Sequence, residues 1–487
     1  MATPFNYTKN IRSFMATCHG EFGRRVLTTN EAEITRDNIL SELNKVIDDF
    51  NFNAACIRYL DRYYRGDQPA LYRTKKFREE INNKIVENHA YELVESKVAD
   101  LFGEPIQYVI ASDVTDQGLV NELTKLNRYM RSEDKSELDI ERGRWASICG
   151  TSYFFIGEKN RMPVEFDEAP YYMSVEDPSL TGVVYYQDDK TPAFSIQVRE
   201  INGISAYNCY TATSRFLIVN NEIVQDDVNG NRMVPVIEYP NNARRLSDVE
   251  ITITLTDEMN KMQSDRMNGI EQFIQAFILF VNAEIDMETF KAMAVEGALS
   301  IKDAADGKKA DAKMLTSELS QDGAQRAKDD VYQNFLIIQG KPGRQENSGG
   351  DTGQAVVLRN GYYDEDKRAE LRIPTFVKAE RMMLRVVLNR LRIDEGFKLR
   401  IADIDIRPKR SKLENMMVKA QVLQILHQLG IDDGIAIKTV NLFSDTQEVI
   451  TKSHDRMEEQ FLASIGANNN EPTETEIIEE DDGTTEI

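Results

Sequence analysis

The residue patterns that carry common catalytic chemistry are missing from this sequence. A nucleotide-binding P-loop needs Gly-x-x-x-x-Gly-Lys-Ser/Thr, because its backbone amides and lysine must wrap a phosphate. The nearest stretch, Gly340-Lys341-Pro342-Gly343, lacks that spacing and carries a proline. There is no Gly-x-Ser-x-Gly for a strained nucleophile and no His-Glu-x-x-His for zinc. The four histidines, His19, His89, His427 and His454, are far apart in the chain. His89 and His427 fall on predicted helices, where a satisfied or solvated imidazole is the expectation. Asp364-Glu365-Asp366 could in principle hold a metal, but a solvated helix face is the better reading. Cys18 and His19 are neighbours with no second Cys/His pair near them, so no zinc site is expected. No catalytic residue, metal or cofactor is expected, and the chain reads as a non-enzyme.

The most informative polar segment is a loop. Arg344 to Gly353 has no apolar residue, and Gly343, Gly349, Gly350 and Gly353 punctuate it. It lies between two long predicted helices, and long loops in such places are either functional or simple flexible connectors. Both readings stand. In the functional one Lys341 and Arg344 flank the loop and could reach phosphates.

Bulk properties limit what such a loop could hold. The chain has 487 residues and a net charge of −22, with 41% hydrophobic and 29% charged residues. That length predicts two to four structural units. Glu471 to Ile487 holds eight acids and no Lys or Arg, and setting those eight aside still leaves −14. DNA-gripping proteins carry basic stripes that neutralise phosphates, so this chain should meet DNA only loosely. No run approaches the roughly 18 apolar residues of a membrane span, since Phe273 to Val281 is short and interrupted by Gln275. The first ten residues lack a basic start and an apolar core, which predicts no signal peptide. The scattered cysteines, Cys18, Cys56, Cys149 and Cys209, make disulfides improbable and fit a reducing interior.

Periodicity supplies the elements. Thr35 is a candidate N-cap for a helix carrying Ile39, Leu40, Leu43, Val46 and Ile47, and a second helix covers 54–64 up to Gly66. A third spans 84–101 and ends at Gly103 and Pro105. A strand at 107–111 and helices at 118–129 and 136–149 follow. From Thr151 to Tyr239 short β-branched and aromatic runs alternate with Asn202-Gly203, Asn220-Asn221 and Asn229-Gly230, which predicts a mostly antiparallel β region. A long helix starts after Ser247 or Asp248, with Leu255, Met259, Met262, Ile270, Ile274 and Phe277 as its stripe. A small mixed α/β insert covers 277–315, and helix returns at 325–338. A charge-laced helix over 354–392 should kink at Pro374. Residues 398–406 read as strand. Ser411-Lys412-Leu413-Glu414 and Asp445-Thr446-Gln447-Glu448 open helices, and an acidic tail after Gly466 reads as disordered.

Four segments in order resemble phage portal proteins. They are Tyr63-Tyr64-Arg65-Gly66-Asp67-Gln68-Pro69; Asn83 to Ala90 running on to Leu101-Phe102-Gly103-Glu104-Pro105-Ile106; Pro235 to Asn242; and Glu346 to Ala355. The last resembles the family's tunnel loop, with a longer glycine spacing at Ser348 to Gly353. In type the chain resembles the portals of long-tailed phages of Gram-positive hosts. The resemblance implies an α+β portal fold. After an N-terminal segment at 1–29 it has a wing at 30–247 and 354–410, a two-helix stem at 248–272 and 324–339, and an α/β clip at 273–323. A tunnel loop at 340–353, a helical crown at 411–465 and a disordered acidic tail at 466–487 complete it. It also implies a ring of about twelve chains at one capsid vertex, for packaging and ejecting double-stranded DNA without sequence readout. Terminase, major capsid and scaffold proteins, and a head–tail connector at the clip would be its partners, in the virion and in the host cytoplasm during assembly.

On that reading Lys341, Arg344, Gln345, Asn347 and Ser348 would touch DNA. Asp257, Lys261, Asp265 and Gln272, opposite the apolar stripe, would face solvent or the channel. Net acidity suits a conduit, because a channel that bound DNA tightly would stall it. The other readings are an acidic adaptor or scaffold without a channel, and a metal-dependent nuclease, which would need an acidic/His cluster and a basic groove that the sequence does not display.

Overall fold

The computed structural model describes residues 14–75, 79–111, 114–159, 168–201, 203–274, 277–281, 288, 291, 311–315, 321–341, 362–408, 416–440 and 453. The chain divides into two compact units, Met1–Ser411 and Lys412–Ile487.

The first unit is layered. A short helix α1 (Phe14–Thr17) and strand β1 (Leu27–Thr29) precede α2 (Ile39–Tyr64). The N-terminal half of α2 buries Ile39, Leu43, Val46 and Phe50 on a six-stranded sheet. That sheet runs β1, β5 (Thr181–Tyr186), β6 (Pro192–Ile201), β7 (Ile204–Tyr210), β8 (Ser214–Val219), β9 (Glu222–Val228). β1 joins in parallel and every other pairing is antiparallel. The β8–β9 hairpin turns where expected: Asn220 and Asn221 take φ of 51° and 65°, the left-handed values that a tight hairpin turn demands. The other face meets a three-stranded antiparallel sheet, β10 (Val236–Pro240), β3 (Thr151–Glu158) and β4 (Tyr171–Glu176), through Tyr153, Phe155, Val183 and Val236. β3 is buried on both faces, which is why Ser152 to Ile156 reads as a continuous run rather than an alternation. Beyond it lies α10 (Ile373–Glu395), burying Met383, Leu384, Val387, Leu388 and Leu391.

Three more helices of this unit are α3 (His89–Phe102), α4 (Gln117–Ser132) and α5 (Lys135–Cys149), and β2 (Gln107–Ile110) pairs with β13 (Ile404–Arg407). Next come α6 (Asp248–Ile251), α7 (Ile253–Ile274), the antiparallel strands β11 (Phe277–Val281) and β12 (Asp311–Leu315), α8 (Gln321–Gln339) and α9 (Tyr362–Glu370). In the second unit α11 (Met416–Gln428) and α12 (Asp433–Val440) are described.

Several expectations are corrected. The two helices expected within 39–64 are one, because buried Asn53 in the middle pairs with the Arg25 backbone at 2.8 Å in both directions. Thr35 supplies a backbone carbonyl to Ile39, and the N-cap position is Asn38. The third helix begins at His89, not 84, because residues 82–88 form no helical turn and Asn88, just before it, is left-handed with φ of 50°. The long helix expected after Ser247 or Asp248 is split at Thr252, and Phe277 lies on a strand. The expected kink at Pro374 is a break at Leu371-Arg372, with Pro374 in the first turn of α10. The strand expected at 398–406 shortens to 404–407 after a single 3-10 turn. Cys18 and Cys56 are disulfide-bonded, against the expectation of no disulfides; α1 packing on α2 brings together two residues 38 apart. Cys149 and Cys209 are buried free thiols. The helix starts expected at Ser411 and Asp445, and the acidic tail, lie outside the described residues.

Candidate functional site

The helix pair α7/α8 begins with a cap. Ser247 Oγ accepts from the Val249 and Glu250 amides, and Glu250 reaches back to the Ser247 amide at 2.8 Å. From there α7 runs antiparallel to α8. Met259 packs with Phe335 and Leu336, Lys328 Nζ donates to Gln263 at 3.1 Å, and Arg266 donates to Gln325. β11 and β12 pair at the far end of the two helices.

A polar stripe on α7 holds the pair to the body. Thr256, Asn260, Ser264 and Asn268 recur every four residues and are all buried. The non-helical segment 82–88 lies along them. Asn268 Oδ1 accepts from the Asn83 amide at 2.7 Å, Ser264 Oγ from Ile85 at 3.0 Å, and Asn260 Oδ1 from Glu87 at 2.9 Å. Two extended residues advance about 6.6 Å and four helical residues about 6 Å, so one amide in two meets one side chain in four. Sequence reasoning missed this stripe. Its signal was the spacing of Thr256, Asn260, Ser264 and Asn268, polar residues of moderate helix propensity on one face.

The other end of the pair closes on a buried carboxylate. Asp248 accepts from Arg372 at 2.6 and 3.1 Å, Lys97 at 2.9 Å and Ser147 at 2.7 Å. Gln339, at the end of α8, donates to the Asp248 carbonyl and to Thr252 Oγ1, and accepts from Lys97 at 2.7 Å. Burial alone would raise the Asp248 pKa, but Arg372 and Lys97 hold it far below the usual carboxylate range. Burial pushes Lys97 down to about 8, with Asp248 opposing and Arg372 adding to the shift. Of these two shifts the Asp248 one governs the charge state, since two cations face that single anion.

The end of α8 meets α9. Lys341 pairs with Glu365, and Arg368 donates to the Ile338 carbonyl at 2.7 Å. Gly340 has φ of 70°, and a Cβ there would lie 2.6 Å from Arg368 Cδ.

The sequence profile of the family described as "Phage portal protein, SPP1 Gp6-like" matches residues 43–460. The chain belongs to the phage portal protein family. Portal proteins are structural, non-enzymatic subunits of a symmetric assembly in the virion neck, at the capsid vertex used for DNA packaging. None of the curated proteins matches the chain. Among solved structures it is similar to a chain of the neck of an empty gene transfer agent particle computed with C6 symmetry, at 13% identity and TM-score 0.43, over 72% of this chain and 90% of that one. A chain of the native gene transfer agent virion aligns at 12% identity and TM-score 0.42, covering 80% and 93%. A chain of the native particle's neck computed with C12 symmetry aligns at 12% and 0.42, covering 72% and 89%.

In this portal protein the candidate channel residues are dispersed. Lys261 and Asp265 share the exposed face of α7 with Thr254 and Glu258; Lys261 pairs with Glu258 and Asp265 with Arg73. Asp257 turns inward and accepts from Tyr63 Oη at 2.8 Å; burial raises its pKa to about 6 in spite of that bond. The Gln272 side chain is outside the described residues. Of the candidate DNA contacts only Lys341 is described, in its pair with Glu365; Arg344, Gln345, Asn347 and Ser348 are outside. His89 is held by Glu87 and Glu92, both at 3.1 Å, with its ring tilted against that of Tyr332, 4.8 Å between centroids.

Proposed function

We propose that about twelve copies of this chain form a ring whose α7/α8 pairs stand side by side around a channel for double-stranded DNA. The observation that carries this reading is the antiparallel pair itself, rooted at Asp248 and along the 82–88 segment and bearing two paired strands at its free end. An element so anchored can bear load without bending at its root.

Residues 248–272 and 324–339 then serve as stem, and 273–323 as the clip that receives a head–tail connector. The tunnel loop, 340–353, offers Lys341, Arg344, Gln345, Asn347 and Ser348 to the DNA backbone, while Lys261 and Asp265 on the exposed face of α7, with the neutral Gln272, line the stem; Asp257, turned inward onto Tyr63, does not. The layered body at 30–247 and 354–410 is the wing. The division of the chain at Ser411/Lys412 supports a separate crown at 411–465. Terminase, the capsid protein and scaffold are the other partners, and a long-tailed phage of a Gram-positive host is the source this reading favours.

Electron microscopy of the purified protein, with mass photometry on the same sample, tests the proposal. Rings with a central hole about one duplex wide support it. A closed compact dimer without a hole refutes it and restores the adaptor reading.

A further inference from the structure

The outer face of α10 carries charge of one sign. Lys378, Arg381, Arg385 and Arg392 are all exposed. Their spacing of three, four and seven residues places them within about 60° of arc, along about 21 Å of the helix axis. No acid of α10 shares that arc. Glu380 is buried against Tyr108 and Lys135, and Asp394 and Glu395 at the C-terminal end are held by Arg390 and Lys125.

Four exposed cations on other helices are each matched by an acid one turn away: Lys45 by Glu42, Arg65 by Asp61, Lys261 by Glu258 and Lys367 by Glu370. Among the described residues, none of the four on α10 meets a carboxylate; Arg385 contacts the Met382 sulfur at 3.9 Å. The chain has 81 acids against 59 Lys and Arg. An ordinary solvated face would draw partners from that excess, and this one does not.

We propose that this stripe is a binding site for the phosphate backbone of duplex DNA, separate from the α7/α8 pair and from the loop after Lys341. DNA is the polyanion handled at the vertex that portal proteins occupy. A duplex offers one phosphate per about 1.7 Å of its axis, so four cations spread over about 21 Å find partners in any register. A protein interface places aromatic rings and apolar anchors at its centre. The centre of this face, Arg381 and Arg385, has no ring beside it, and Met382 packs into the core. Flexible cationic stems contact phosphates and not base edges, so the contact is independent of sequence. Four phosphates are few, and the hold is loose, in keeping with a net charge of −22. The inference stands on one helix face of one chain and does not need the ring.

The test is fluorescence anisotropy of the full chain with two labelled duplexes of unrelated sequence, from about 50 to 200 mM salt. Arg381→Gln with Arg385→Gln should weaken binding at low salt about tenfold, equally for both duplexes, and flatten the log–log salt slope by about 1.8. Lys378→Gln with Arg392→Gln should do the same. Glutamine keeps the helix propensity, and an unchanged circular dichroism spectrum checks the fold. Arg36→Gln with Lys45→Gln removes the same charge from side chains 63% and 61% exposed elsewhere and should leave binding near that of the unmodified chain. Four results overturn the proposal: no binding by the unmodified chain, unchanged binding in the α10 variants, an equal loss in the control, or a loss on one duplex alone. Polyglutamate bound as tightly as DNA, with the same dependence on Arg381 and Arg385, overturns it in favour of an acidic protein partner. Each of these results is independent of whether the chain forms rings, so the ring reading fails or stands by its own test.

Discussion

Arg372 grips Asp248 with both terminal guanidinium nitrogens, at 2.6 and 3.1 Å, across 124 positions of sequence. The pair ties the start of α10 to the start of α6, and Gln339 and Lys97 add α8 and α3 to the same carboxylate or its backbone. Asp248→Ala would leave Lys97 and Arg372 buried without their anion. The expected cost is about 3–5 kcal/mol, read as a drop in the urea midpoint with the slope unchanged. A loss below about 1 kcal/mol would show that the two cations find water instead. Because the folded pKa is depressed, the contribution is present above the unfolded value near 4 and fades as pH falls below it.

The α7 stripe makes a separable prediction. Asn260→Ala strips the partner from the Glu87 amide and Ser264→Ala from the Ile85 amide. Each should cost about 1–3 kcal/mol and speed hydrogen exchange at the matching amide more than at its neighbours. Exchange that rises equally along 82–88 would mean that the segment releases as one piece.

Asp257 should act in the opposite sense to Asp248. Its folded pKa, raised to about 6 by burial, lies above the unfolded value near 4. The folded state therefore holds the proton more tightly, and stability from this group is lost as pH rises from about 4 to 6. Asp257→Asn should stabilise the protein at pH 8 by about 1 kcal/mol, after discounting for the partial exposure of the site, and should change nothing below pH 4. Thermal melts across that range check it; an equal shift at both ends would remove the ionisation as the cause.

The loop root invites a charge swap. Lys341→Glu and Glu365→Lys singly set like charges against each other in a half-buried contact. Each should destabilise by about 1–2 kcal/mol, and the double swap should recover most of the loss, a coupling of the size seen between contacting residues. Additive losses would mean that Lys341 and Glu365 act through other neighbours.

Deleting Gly343 to Gly353 should leave assembly intact and impair DNA packaging or retention. Particle counts by electron microscopy and the DNA content of assembled heads read the two effects apart. Loss of assembly would assign the loop to the ring contacts.

Local pattern carried much of the fold. The short β-branched and aromatic runs read between Thr151 and Tyr239 fall on strands, because such side chains pack on pleated surfaces, and Asn220-Asn221 supplies the left-handed angles of the β8–β9 turn. Ser247 was legible as a helix start, because its cap partners lie within three residues. What local pattern could not show is long-range. A helix was expected from 84, but residues 82–88 form none, since the amides of Asn83, Ile85 and Glu87 are claimed by side chains 173 to 185 positions away. Shorter separations also hid contacts: Cys18 and Cys56 are 38 residues apart and Lys341 and Glu365 are 24 apart, while the inward turn of Asp257 depends on Tyr63, 194 positions away. Sequence alone determined which segments could be helix, strand or loop, because those choices are settled by neighbours a few residues apart. Tertiary structure decided which polar side chains are spent inside the fold, because a donor's partner is set by what packs against it.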